Sequence, residues 1–477
     1  MTEPADVPEE EQETATLPDA SDRVSDHRLL VATLFTLFAI GVGNTTAGAV
    51  AIPAIGDVFD AGPADVGWIV FGYAGAFAIM TAVYGTLAKR FGVAHAIVAG
   101  VVLVFVGGTV SMVAVNLPML ITGRVVQGIG AGAVPPLSIA LIARRMSGPA
   151  RSKAIGINIA AVGVGFALGP LTGGLALQTV GWRGAMALGV LTAPAVPILW
   201  RLEAKRDEPD RSAPLDPRGT ALLAIVVASL VFLVNRTPVL GVSVATLGAA
   251  VLAVVFGLTL VHHFLTGTNM AFPREVVTVG RLWRLMVLGF VGQTAFLGTI
   301  VVIPIAAVEI HDLDGILLGL VLVPMAVVIV IVSPRNGSIQ AAIGRPMTTT
   351  LSLTMISGGA ILLGLMGADA SPVLMGAGLI VAGAGFAVLN APLANEVTLI
   401  HPGTNRSVAL GFYNLLFFMG TASGSGLSTA LVQAEFQASF FSGRSLPGYS
   451  SALIAVASIA FMVGLARLLV AAVRRRA

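Results

Sequence analysis

Apolar runs about as long as a bilayer is thick recur from residue 29 to residue 471, and only short polar loops separate them. Hydrocarbon offers no partner to an unpaired backbone N–H or C=O, so each run is expected to cross the membrane as a helix. We read fourteen: about 29–52, 64–87, 93–115, 117–142, 154–178, 184–202, 219–235, 239–264, 284–308, 315–333, 348–367, 372–397, 407–433 and 449–471. Composition closes off the soluble alternative. Only 11% of the 477 residues are charged, against about 25% in a soluble domain. The chain has no cysteine, hence no disulfide framework and no thiolate chemistry.

Residues 1–27 carry nine carboxylates and few apolar groups. They read as a disordered tail. An acidic start followed by a full-length apolar run also argues against a cleaved secretory signal.

The basic residues set the expected orientation. With the N-terminus placed in the cytoplasm, one set of loops holds Arg23, Arg28, Lys89, Arg90, Arg144, Arg145, Arg151, Lys153, the basic groups of 201–218, Arg335, Arg345 and Arg406. Of the 27 Lys and Arg, only Arg183, Arg236 and Arg444 fall in the opposite loops, and Arg124 falls inside a span. Asp57, Asp60 and Asp65 lie on that opposite side. Such asymmetry marks the cytoplasmic face, which puts both termini in the cytoplasm. It also accounts for the net charge of +3 without a nucleic-acid partner.

An internal repeat divides the chain. Gly85-Thr-Leu-Ala-Lys-Arg-Phe-Gly92 follows the second span, and Gly337-Ser-Ile-Gln-Ala-Ala-Ile-Gly344 follows the tenth. Both read Gly, any residue, aliphatic, four residues, Gly. Eight spans apart, they fit two six-span halves, 28–203 and 281–477, with a linker at 204–280 that carries two extra spans (about 219–264). Paired repeats are common in secondary transporters, with sites between the halves near the midplane.

Two spans carry further patterns. The fourth reads Arg124-Val-Val-Gln127-Gly128-Ile-Gly130. An arginine within a span needs a cavity or a partner; the plainer reading is a side chain snorkelling to the interface. In the fifth, Gly156, Gly165, Gly169-Pro170 and Gly173-Gly174 provide a small-residue stripe for close helix contact. We expect that stripe to pack on the span at 407–433.

On these residues the chain resembles the major facilitator superfamily, in its fourteen-helix drug:proton antiporter branch. The glycine pattern of the fifth span matches that family's antiporter motif. Arg124, Gln127 and Gly128 match its helix-four motif, and Gly85, Arg90 and Gly92 its loop motif. Thr81-Ala-Val-Tyr-Gly85, with Asn414, Phe418 and Gly424, is similar to the Gram-positive tetracycline-type exporters. Departures are equally specific. Lys89 stands where the loop motif has Asp, and Asn44 where fourteen-helix relatives often carry Asp. Phe166 and Thr421 occupy positions where tetracycline-type exporters have acids.

The resemblance implies an all-α membrane protein with the major facilitator fold, two six-helix bundles plus a two-helix insert. It implies a secondary transporter of the bacterial plasma membrane that exports a small amphipathic molecule or drug by alternating access, with protons as the candidate driving ion. The alternative is a lipid or glycolipid translocator of the same fold without classical proton antiport. Polar span residues expected along the substrate pathway are Asn44, Arg124, Gln127, Asn158, Gln293, Asn390 and Asn414. With one span arginine and no deep acid in the first half, neutral, anionic or amphipathic substrates fit better than cations.

Apart from Asp65 at the very start of the second segment, Glu396 is the only carboxylate inside the fourteen segments. It reads either as a helix-end group reaching water or, with His401 beyond it, as the proton carrier that a coupled cycle needs. No enzyme is expected: no His/Asp/Glu grouping has metal-ligand spacing, and no Gly-Lys-Ser/Thr phosphate loop is present. The expected partners are membrane lipids and the transported molecule, with no cofactor, and the expected state is a monomer.

Overall fold

A computed structural model describes residues 20–61, 63–203, 207, 209–213, 215–266, 279–311, 313, 315–366, 371–400, 405–433 and 448–476. His401 and residues 1–19 of the tail lie outside this set. Long helices dominate: α1 (Ala20–Val50), α2 (Trp68–Phe91), α3 (Val93–Met112), α4 (Leu117–Arg145) and α5 (Gly148–Thr179) come first. Then follow α6 (Trp182–Glu203), α7 (Pro217–Leu240), α8 (Val244–Thr266), α9 (Gly280–His311) and α10 (Gly315–Val332). The last four are α11 (Arg345–Met366), α12 (Pro372–Ile400), α13 (Arg406–Gln433) and α14 (Gly448–Arg476).

Among the described residues, twelve helices are long and apolar enough to cross a membrane. The two long helices outside that set are α7 and α13. α13 is diluted by Ser407, Asn414, Thr421, Ser423 and Ser425, of which Ser407 and Asn414 are buried in the bundle.

Two sequence boundaries move. α1 begins at Ala20, inside the stretch read as a disordered tail. The gap between the segments read at 219–235 and 239–264 is helical and belongs to α7, which runs from Pro217 to Leu240. The chain turns instead at Gly241, whose φ of +58° suits glycine. The Ser243 backbone N–H then donates to Thr246 Oγ1 (2.8 Å), starting α8.

α1 packs along α5, α3 along α4, and α2 against α4; α9 packs along α13, and α11 against α12 and α14. The two sets meet where α2 crosses α13 and where α5 crosses α10 and α12. α8 packs mainly on α7, which rests on α2 and α13, so the α7–α8 hairpin sits at the edge of the bundle.

The repeated loops share one backbone. Gly92 and Gly344 have φ of +94° and +78°, and their N–H groups donate to Ala88 O (2.9 Å) and Gln340 O (3.0 Å). Both end a helix with a residue for which glycine carries least cost.

The linker after α6 is tied to this basic end. Arg90 Nη1 donates to Ala213 O at 2.7 Å. Asp207 accepts from the backbone N–H groups of Ala94 (3.1 Å) and His95 (3.0 Å), capping α3 from a distant segment, and pairs with Arg144 at 3.0 Å. Glu203 is wholly buried and pairs with Arg144 and Arg145. Burial works to raise the Asp207 carboxyl. The backbone N–H groups of His95 and Ala94, then the His95 and Arg144 side chains, outweigh it and hold the group below its ordinary value.

A carboxyl depressed in this way stabilises the fold above its unfolded value of about 3.9, and the contribution fades as pH falls through the lower folded value. Asp207→Asn is therefore expected to lower the melting temperature at pH 7, by the roughly 1 kcal/mol of a lost cap. Thermal unfolding repeated below pH 4 should show the gap to wild type shrinking.

Candidate functional site

A cavity of about 270 Å³ lies between the two sets of helices. α1 contributes Thr45 and Thr46, α2 Tyr73 and Phe77, α5 Phe166, α9 Gln293, and α13 Phe417, Phe418 and Thr421. No charged side chain lines it among the described residues. Phe77 and Phe418 meet edge to face across the two sets, with ring centroids 4.5 Å apart. Gln293 Nε2 donates to Thr421 Oγ1 at 3.0 Å, and its Oε1 is buried with no hydrogen-bond partner. A few hydroxyls and one amide side chain on a mostly apolar surface are the usual make-up of a small-molecule site.

The cavity is shut at the basic end by two matching crossings. A Cβ on Gly85 would lie 2.6 Å from Ser407 O, and Ser407 Oγ donates to Gly85 O at 3.0 Å. A Cβ on Gly156 would lie 2.2 Å from Ser333 O. Lys89 Nζ donates to Asn405 Oδ1 (3.1 Å), so the lysine in the family's Asp position holds the N-terminal end of α13.

These crossings rest on a second repeat that escaped the sequence reading. Arg151-Ser-Lys-Ala-Ile-Gly156 opens α5 and Arg406-Ser-Val-Ala-Leu-Gly411 opens α13. Gly411 packs against Thr81 O at the α2 crossing, as Gly156 does against Ser333 O at the other. A search for self-similarity beyond the loops would have found it.

The polar residues expected on the pathway divide. Gln293 lines the cavity. Asn390 and Asn414 face a small void beneath it, which shares Phe38 and Phe417 with the cavity, and each donates to its own helix (Phe386 O, 3.3 Å; Leu410 O, 2.8 Å). Asn158 is buried within the first half and donates to Ser138 Oγ at 2.9 Å. Asn44, Arg124 and Gln127 do not line the cavity either.

Arg124 is wholly buried behind Tyr73, whose ring lies 4.4 Å from the guanidinium carbon and fills the line to the cavity. It donates to Gln127 Oε1 (2.7 Å) and Ile69 O (3.3 Å), and Nη2 has no partner. No carboxylate pairs with it among the described residues. Removing a buried cation without a counter-ion relieves desolvation, so Arg124→Met should keep or raise the melting temperature. Transport should nevertheless fall by about tenfold or more, because such a group is retained for work rather than stability. A fall in both would mean that Arg124 is structural.

The glycine stripe packs elsewhere than expected. Cβ atoms on Gly165, Gly169 and Gly173 would strike Val42, Thr46 and Ala47, all on α1, rather than α13. Gly174 faces open space, and Pro170 sits inside the unbroken α5. Glu396 stands apart from the cavity. It lies at the basic end, where its carboxylate pairs with Arg281 at 3.2 Å, and it does not line the cavity. Phe166 and Thr421 both line it, at positions where tetracycline-type relatives have acids.

Residues 33–425 match the Major Facilitator Superfamily. The chain belongs to that superfamily. It is a multi-pass membrane transporter rather than an enzyme. The chain is 29% identical to drug efflux pump JefA of Mycobacterium tuberculosis over 406 residues, covering 80% of this chain and 77% of that one. It is 25% identical to multidrug resistance protein Stp of the same organism over 416 residues (85% and 77%). With the methylenomycin A resistance protein of Bacillus subtilis it shares 29% identity over 272 residues, 56% of this chain and 57% of that one.

Among solved structures, the proton:xylose symporter XylE superposes with a TM-score of 0.64 at 17% identity, covering 92% and 95% of the two chains. The human organic anion transporter MFSD10 gives 0.65 at 16% identity, covering 93% and 99%. Both share the fold.

Proposed function

We propose that the protein is a secondary transporter exporting a small amphipathic molecule across the bacterial plasma membrane by alternating access. Fourteen spans are counted when α7 and α13 join the twelve, with the basic end and both termini in the cytoplasm. The shape described above is then the outward-facing one, shut at the cytoplasmic end. A single observation carries the substrate class: the cavity between the halves has aromatic and aliphatic walls, a few hydroxyls and one amide, and no charge. Such walls reward apolar area and disfavour a localised charge that would lose its hydration. Efflux relatives support the direction of transport.

Purified protein in vesicles, given uncharged, cationic and anionic amphiphiles of one size, tests this reading. The uncharged or weakly polar member should move fastest, and a preference for the permanent cation would overturn the reading. A lipid translocator of the same fold is favoured by the same walls, and a labelled lipid in the panel tells the two apart.

The same vesicles test energy coupling. An exposed or half-exposed ion pair contributes at most about 1 kcal/mol, so Glu396→Gln should leave gradient-driven transport within about twofold of wild type. Loss of the gradient response alone would return Glu396 to the role of proton carrier.

A further inference from the structure

The α7–α8 hairpin encloses a second cavity against α2, of about 450 Å³. Its walls include Phe232, Val244, Ala249 and Leu252. Gly75 of α2 and Gly248 of α8 keep it open, for a Cβ on either would meet no atom within 4 Å. Val231 of α7 lines this trough and the central cavity alike. One side chain is thus a wall common to both.

The trough is apolar apart from the Ser229 hydroxyl and one end. There Arg236 is the charged residue among the described residues that line it, 9% exposed, with its guanidinium 5.8 Å from the Trp68 ring. On the opposite face of α8, Val251, Val254, Leu258 and Val261 are exposed, as a lipid-facing helix requires. A long apolar trough beside lipid, with a single cation at one end, complements a single-chain anionic amphiphile.

We propose that this trough binds a long-chain carboxylate from the membrane, its head group at Arg236 and its acyl chain between Gly75 and Gly248. Val231 then marks where the chain passes to or from the central cavity, a step that rests on the transport reading. Binding itself does not depend on it. A cation is disfavoured by Arg236, and an uncharged chain binds without the head-group contact.

Tritiated palmitate binding to the full-length protein in phosphatidylcholine nanodiscs tests the site in the presence of a two-chain neutral lipid. Wild-type discs should retain more palmitate than protein-free discs, which take up the acid by partition alone, and binding below means this excess. At Gly248 a Cβ would meet no atom within 4 Å, so Gly248→Phe extends from open space into the trough. It should weaken palmitate severalfold, because the ring occupies the place of the acyl chain. Arg236→Gln should weaken palmitate about tenfold, as loss of a charged hydrogen-bond donor does, while leaving hexadecanol unchanged. Thr421→Trp, which blocks only the central cavity, should leave palmitate binding intact.

No binding by wild type, or equal palmitate binding by wild type and Gly248→Phe, overturns the proposal. Palmitate loss in Thr421→Trp would move the site to the central cavity and overturn it too. Normal binding without any amphiphile transport by wild type would instead defeat the transport reading and leave the site standing.

Discussion

Gly169→Leu is expected to abolish transport and lower the melting temperature, while Gly174→Leu five residues on leaves both near wild type. The two glycines belong to one motif but have opposite surroundings. A Cβ at 169 would stand 1.8 Å from Thr46 Oγ1 and 2.7 Å from Gly43 O, and at 174 it would meet nothing within 4 Å. Thr46 is itself anchored, with its hydroxyl donating to Gly43 O at 3.1 Å. Its hydroxyl can rotate away from a methyl group, but the backbone oxygen can leave only if α1 and α5 separate.

Overpacking of this kind costs about 1–3 kcal/mol for a few added methylenes. A leucine adds more volume than the contact can absorb. Thr46 and Phe166 line the cavity from these same two helices, so their separation would distort the site as well as the fold. Gly169→Ala combined with Thr46→Ala should be milder than Gly169→Leu, because the Thr46 hydroxyl is then gone and only the contacts with Gly43 O and with the Cβ of residue 46 remain. Vesicle transport and thermal unfolding of the three variants check this, and similar behaviour of Gly169→Leu and Gly174→Leu would mean the motif acts by something other than contact.

Much of the architecture was legible because membrane helices announce themselves by length and apolarity. The two that fall below that threshold, α7 and α13, are still visible as periodic runs between loops. The matched loops also survive as structure, since a glycine at position 92 or 344 reflects a backbone conformation that other residues resist. Legibility fails where a pattern names a need but no partner. The stripe at 165, 169 and 173 calls for a close helix, and any of several would have satisfied it. Arg124 calls for burial among polar groups, yet nothing in its neighbourhood in the sequence shows that Tyr73, some 50 positions earlier, shields it from the cavity. Glu396 was singled out by its rarity, a property that does not locate it, and Arg281 holds it at the basic end. The family departures at Phe166 and Thr421 pointed to the site as directly as Gln293 did, for all three line the cavity.

Closure at the basic end links these observations to alternating access. If the Gly85–Ser407 and Gly156–Ser333 crossings seal one of two working states, they must part in every cycle. The chain lacks cysteine, so an introduced pair has no background. A Cβ on Gly337 would lie 3.4 Å from Ser152 Cβ, at the short edge of the range a disulfide accepts. The decisive measurement is amphiphile transport by the Ser152→Cys/Gly337→Cys protein in vesicles, first oxidised and then reduced. Alternating access predicts that transport stops when the bridge forms and returns on reduction, with each single variant active throughout. Full transport by protein that is completely cross-linked would contradict it.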